Sequence, residues 1–182
     1  MIAIAGSLCA GEGMCAEPVY VLTSSPSSIA ERDGLKRTLE EYPAHEALWK
    51  SLGSVSLTYT VKQAESGLIM PDPCEGLPIR VRLVHGQLKS ALYEASGGKC
   101  VAGAPARRKG LLLTPSAFFA RIEAARRQLA CYSSSAAAGC LPTALRVTYD
   151  STLGIPVKME DYSVEVSDYY WSLTVTNIKK ES

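Results

Sequence analysis

The chain is poor in the residues and spacings that catalysis most often uses. His45 and His85 are the only imidazoles in 182 residues. With so few bases, a Ser-His or Cys-His pair has little to be built from. Gly-x-Ser-x-Gly, His-Glu-x-x-His and a glycine-rich phosphate loop are all missing. No Cys-x-x-Cys pair occurs, so thioredoxin-type chemistry and zinc ribbons lose support. No apolar run approaches the roughly 20 residues needed for a membrane-spanning helix. An excess of one charge is missing too: 19 basic residues face 18 acidic ones, leaving a net charge of +1. General nucleic-acid binding needs clustered positive charge to displace counterions, so it is not expected.

What is present is 47% hydrophobic and 20% charged residues. That is enough apolar content for one folded core and too much for wholesale disorder. Residues 1–27 read as a signal remnant or flexible linker, and 28–182 as a single domain. Met1 to Ala10 is small and apolar like the tail of a secretory signal, but it lacks a basic start, and Gly11-Glu12-Gly13 interrupts it. Lipid anchoring or peripheral membrane association follows if the true start lies upstream. Neither Ser7-Leu8-Cys9 nor Met14-Cys15 is a good lipidation site.

Six cysteines, Cys9, Cys15, Cys74, Cys100, Cys131 and Cys140, fit an exported protein with disulfides. Cys131 and Cys140 flank a serine- and alanine-rich stretch, and a bridge there would close a short loop. Cys74 and Cys100 fall at the open end of one hairpin, three residues out of register, so the loops must adjust to bring them together. The pairing of Cys9 and Cys15 stays open.

Along the chain, Ser28-Ile29-Ala30-Glu31 is a capping box opening a helix to about Glu41. Pro43 breaks it, and a second segment carrying Trp49 runs to Leu52. His45 falls in the first turn of that segment and is expected to be exposed. Val55, Leu57, Tyr59 and Val61 alternate with polar residues, which predicts a strand. Ile79 to Val84 and Gln87 to Glu94 form a hairpin around His85-Gly86. Thr114-Pro115 opens a helix with Phe118, Ile122, Ala125 and Leu129 on one face. Strands follow at 144–149, from Pro156 to Asp161, and at 170–178. The fold class is therefore α+β: a single antiparallel sheet of five or six strands, one helix packed on one face, and helical segments in front.

Some of these residues resemble a known family. The elements are Trp49 on a helix, Tyr59 on a strand, Cys74 before a hairpin running Pro78 to Leu88, and Leu145 to Pro156 before a strand with Asp161. The strongest motif is Tyr149-Asp150-x-x-x-Gly154-x-Pro156. The pattern, over about 46–178, resembles the bacterial family named domain of unknown function 6174. The resemblance implies small exported proteins, often lipoproteins, with no assigned activity. This chain departs from it at Ile155, where the family often has an aromatic residue, and in the Cys131–Cys140 loop.

The expected function is that of an exported envelope or secreted binding module without catalytic activity or cofactor. Its extracytoplasmic partner is a protein or an anionic envelope component, not nucleic acid. It would be engaged through the sheet face or through the basic loop Arg107-Arg108-Lys109, with Tyr169 and Trp171 at an aromatic edge. From Lys99 to Arg127 seven basic residues accompany a single acid, Glu123. The alternative is a carrier or sensor of a small apolar ligand held between sheet and helix. Asp150 is expected to bond amides within its own turn rather than join Glu160 and Asp161 in a carboxylate cluster.

Overall fold

A computed structural model describes residues 29–66, 74–107, 110–132, 145–162 and 170–181. Its elements in chain order are α1 (Ile29–Ser51), β1 (Leu57–Ser66), β2 (Ile79–Val84), β3 (Gln87–Tyr93), α2 (Pro115–Tyr132), β4 (Arg146–Tyr149), β5 (Pro156–Tyr162) and β6 (Tyr170–Lys180). The six strands form one sheet in the order β3-β2-β1-β6-β5-β4, and every neighbouring pair is antiparallel. The α+β expectation is met. The capping serine Ser28 lies outside the described residues, as do the side chain of Leu129 and the 1–27 segment.

Pro43 does not divide the first helix. α1 runs continuously through it, although an internal proline removes one helix hydrogen bond and costs about 3 kcal/mol. The offset is tertiary. Tyr42 and Trp49, on either side of the proline, are both buried in the core, each stabilising by about 1.5–3 kcal/mol. His45 is accordingly mid-helix and half-buried, not exposed in a first turn.

The hairpin carries a two-residue turn with positive φ at both His85 (51°) and Gly86 (77°), the geometry that matches strand twist. Val84 faces Gln87 as the sequence predicts, but a bulge between Arg82 and Leu83 shifts the rest by one residue, pairing Ile79 with Tyr93. Beyond the hairpin, Gly97 and Cys100 exchange backbone hydrogen bonds of 3.0 and 2.9 Å. That tight turn folds Cys100 back, and it meets Cys74 in a disulfide with Cα atoms 5.6 Å apart. The misregister is thus closed by one bulge and one turn.

α2 begins where threonine and proline require it. The Thr114 hydroxyl accepts from the Ala117 amide at 3.2 Å. Phe118, Phe119, Ile122 and Ala125 are buried. They face the apolar side of the sheet: Leu57, Tyr59 and Val61 on β1, Ile79, Val81 and Leu83 on β2, Leu173 and Val175 on β6, and Met159 on β5. Both helices and the 111–113 segment pack on this face. Gln63 holds that segment, accepting from the Leu112 amide at 3.1 Å, and the Tyr59 hydroxyl donates to the Leu113 carbonyl at 2.7 Å.

The β4–β5 connection is knotted by Asp150. Its carboxylate accepts from the Thr152 and Leu153 amides at 2.9 and 2.8 Å. Its carbonyl accepts from Gly154 and its amide donates to Ile155. Asp150→Ala leaves two amides without their acceptor and is expected to cost about 1–2 kcal/mol, read as a lower urea midpoint with unchanged slope.

Candidate functional site

On the helix-covered side His45 and Asp161 are engaged in structure, while the Tyr149 hydroxyl is buried without a hydrogen-bond partner among the described residues. His45 stacks on Tyr149, with ring centroids 4.0 Å apart and planes 6° from parallel. Burial pushes the Tyr149 and Tyr59 hydroxyls well above the ordinary phenol range. Asp161 is buried and pairs with Arg121 at 2.5 Å, and the guanidinium lies 5.4 Å from the Trp171 ring centroid. Glu160 and Asp161 are consecutive on a strand and point to opposite faces, so the two carboxylates do not cluster with Asp150. Among the described residues no group of three His, Cys, Asp or Glu side chains converges on a metal-sized site.

A groove of about 450 Å³ runs between α1 and α2, floored by Tyr42, Trp49 and Phe119 and rimmed by Glu46, Lys50 and Glu123. It lies between helices, not between sheet and helix where the apolar-ligand expectation put its cavity. Its rim is occupied by the Glu46–Lys50 pair at 2.9 Å and by Glu123 pairing with Arg126 and Arg127 at 3.4 and 3.3 Å.

The opposite face of the sheet is different. Strand registers align its side chains in rows perpendicular to the strands. One row runs Thr148, Lys158, Thr174, Lys62 across β4, β5, β6 and β1. A second runs Thr176, Thr60, Arg80, Leu92 across β6, β1, β2 and β3, and a third runs Lys179, Thr58, Arg82, Ser90 across the same strands. A fourth runs Arg146, Glu160, Ser172, Ala64. Thr60 is buried within this layer, and the other members are half-buried or exposed.

Three carboxylates organise this face. Glu94 pairs with Arg80 at 2.9 Å and accepts from the Thr60 hydroxyl at 2.9 Å. Glu181 receives Arg82 through two nitrogens at 3.0 Å and the Thr58 hydroxyl at 2.5 Å. Glu160 pairs with Lys158 at 2.9 Å and accepts from Tyr170 at 3.1 Å. The Arg82 and Thr58 hydrogen bonds hold the Glu181 carboxyl below its usual range, so that pair persists to a lower pH than an isolated carboxylate would. Asn177, with φ 55°, occupies the bulge that lets β6 stay in step with β1, and its amide reaches Thr60 at 3.5 Å.

The residues singled out from sequence divide clearly. Cys74 and Cys100 are joined. Trp171 is 5% exposed and lies under Arg121, so it belongs to the packed interior and offers no aromatic edge. The register explains this: Trp171 shares the helix-covered face with Asp161 and Glu65. Arg107 is exposed, while Arg108, Lys109, Tyr169 and Cys140 lie outside the described residues, as does the side chain of Cys131. The basic run does not form one patch among the described residues, because Arg121 turns to Asp161 on β5, and Arg126 and Arg127 turn to Glu123 on α2. The open-face rows had a sequence signal, the polar phase of each alternating strand. Only pairing brings the separate phases side by side.

Comparison of the chain with protein-family models, with curated proteins and with solved structures finds no match.

Proposed function

We propose that this chain is a binding module of the extracytoplasmic space, not a catalyst, and that it engages its partner through the open face of its sheet. One-sided packing carries the reading. Both helices cover one face, while the other presents threonine, serine, lysine and arginine from all six strands. An antiparallel sheet is stable with one face in water, so the fold does not require that face to be covered, and a flat polar lattice is left for a partner. The Cys74–Cys100 bridge supports an oxidising compartment. No helix among the described residues is long and apolar enough to cross a membrane. The family resemblance points the same way.

Thr174→Tyr, at the centre of the face, is compared with Ala47→Tyr on the exposed side of α1. Both are tested for retention of the native chain on sedimented envelopes of producing cells. Thr174→Tyr is expected to weaken retention about tenfold, equivalent to 1.4 kcal/mol, with Ala47→Tyr unchanged. Loss confined to Ala47→Tyr would refute the open-face assignment.

A further inference from the structure

The chemistry of the open face specifies the partner more narrowly; this step rests on the open-face reading above. We infer that the face binds an acidic polysaccharide, a chain of hydroxylated rings carrying separated carboxylates. Among the described residues the face presents six cations, Lys62, Arg80, Arg82, Arg146, Lys158 and Lys179, against the three carboxylates of Glu94, Glu160 and Glu181, with which Arg80, Lys158 and Arg82 pair. The surplus is positive, but acids stand among the cations.

That interleaving selects among polyanions. Duplex DNA places one charge per about 1.7 Å of axis, so phosphates would fall on the face's own carboxylates wherever it docked. A polymer with widely spaced acids avoids them. In the row Thr148, Lys158, Thr174, Lys62 the two lysines stand two strands apart, about 10 Å at normal strand spacing. A hydroxyl lies between them. Cation, hydroxyl, cation is the complement of carboxylate, neutral ring, carboxylate. The hydroxyls both donate and accept, as sugar hydroxyls do.

Two other partners fit less well. A protein interface is anchored by a cluster of aromatic or aliphatic side chains in desolvated pockets, whereas among the described residues of this face Leu92 stands at the β3 edge and Tyr170 lies apart from it on β6, its hydroxyl given to Glu160. A lipid surface is held by an apolar helix face or a lipid chain together with basic residues, and the open face presents strands.

The test is titration of the native, oxidised protein with hyaluronate, whose acidic and neutral rings alternate, with neutral dextran and with phosphatidylglycerol vesicles, followed by calorimetry. Binding to hyaluronate alone is expected, weakening as salt rises from about 50 to about 200 mM because the contacts are between exposed, screened charges. Lys62→Glu is expected to weaken it about tenfold through loss and reversal of one surface charge. Arg127→Glu, on the helix side, serves as the control and is expected to change nothing. Circular dichroism verifies that both variants fold. Tighter binding to vesicles, equal binding to dextran, or insensitivity to Lys62→Glu each overturns the assignment. If no polymer binds while Thr174→Tyr still abolishes envelope retention, the polysaccharide is wrong and the open face stands. If retention is also unaffected, both fall.

Discussion

Replacing Gly154 by alanine is expected to destabilise the protein by about 3 kcal/mol, adding a strained backbone to an overpacked contact. Gly154 has φ 72°. A β-carbon there would overlap the carbonyl oxygen of His45 and crowd Leu48 Cβ at 3.1 Å and the Trp49 amide at 3.2 Å. Two of those three atoms are helix backbone and cannot rotate aside. The glycine therefore serves two purposes: it completes the Asp150 turn, and it lets α1 lie directly on that turn. Gly86→Ala separates them. It has φ 77° but nothing within 4 Å of a built β-carbon, so only the backbone cost of about 1 kcal/mol applies. Thermal melts of both variants measure the difference. Equal losses would show that α1 does not rest on the 150–154 turn.

The second large effect is expected from Cys74→Ser combined with Cys100→Ser. The bridge spans 26 residues, and in the loop-entropy model closing such a loop stabilises by about 3.5 kcal/mol. For a domain of this size that lowers the melting temperature by about 10 °C. The bridge acts where the sheet has least other support. It joins the 74–76 turn before β2 to the Gly97–Cys100 turn after β3, so it holds shut the open end of the edge hairpin. The wild-type protein melted in reductant should match the double variant. Wild-type melts that are identical with and without reductant would remove the bridge, and with it one support for the extracytoplasmic assignment.

Much of this architecture was legible because short-range physics governs it. The His85-Gly86 hairpin, the Thr114-Pro115 helix start and the Asp150 turn each depend on residues within five positions of one another. The structure places each where the pattern predicts it. The Phe118/Ile122 stripe was legible for the same reason, since helical period alone puts those side chains on one face. The continuous α1 was not. Local rules penalise Pro43, and only the burial of Tyr42 and Trp49 against distant parts of the chain outweighs the penalty. Trp171 shows the same limit. An aromatic residue at a strand end looks available until register assigns it to the covered face beneath Arg121.

The binding face marks the same boundary. Sequence by itself determined that each strand has a polar phase, because alternation along a strand has a period of two and needs no partner. It also determined the strand-rich α+β class and the scarcity of catalytic groups. Tertiary structure alone decided that β1 lies between β2 and β6, that Lys62 and Lys158 share one row, and that both helices cover the same side. Strand order and register are set by contacts between residues far apart in the chain, such as Thr58 and Glu181, separated by 123 positions. Contacts of that span arise from the packing of the whole core, which no local window of sequence contains.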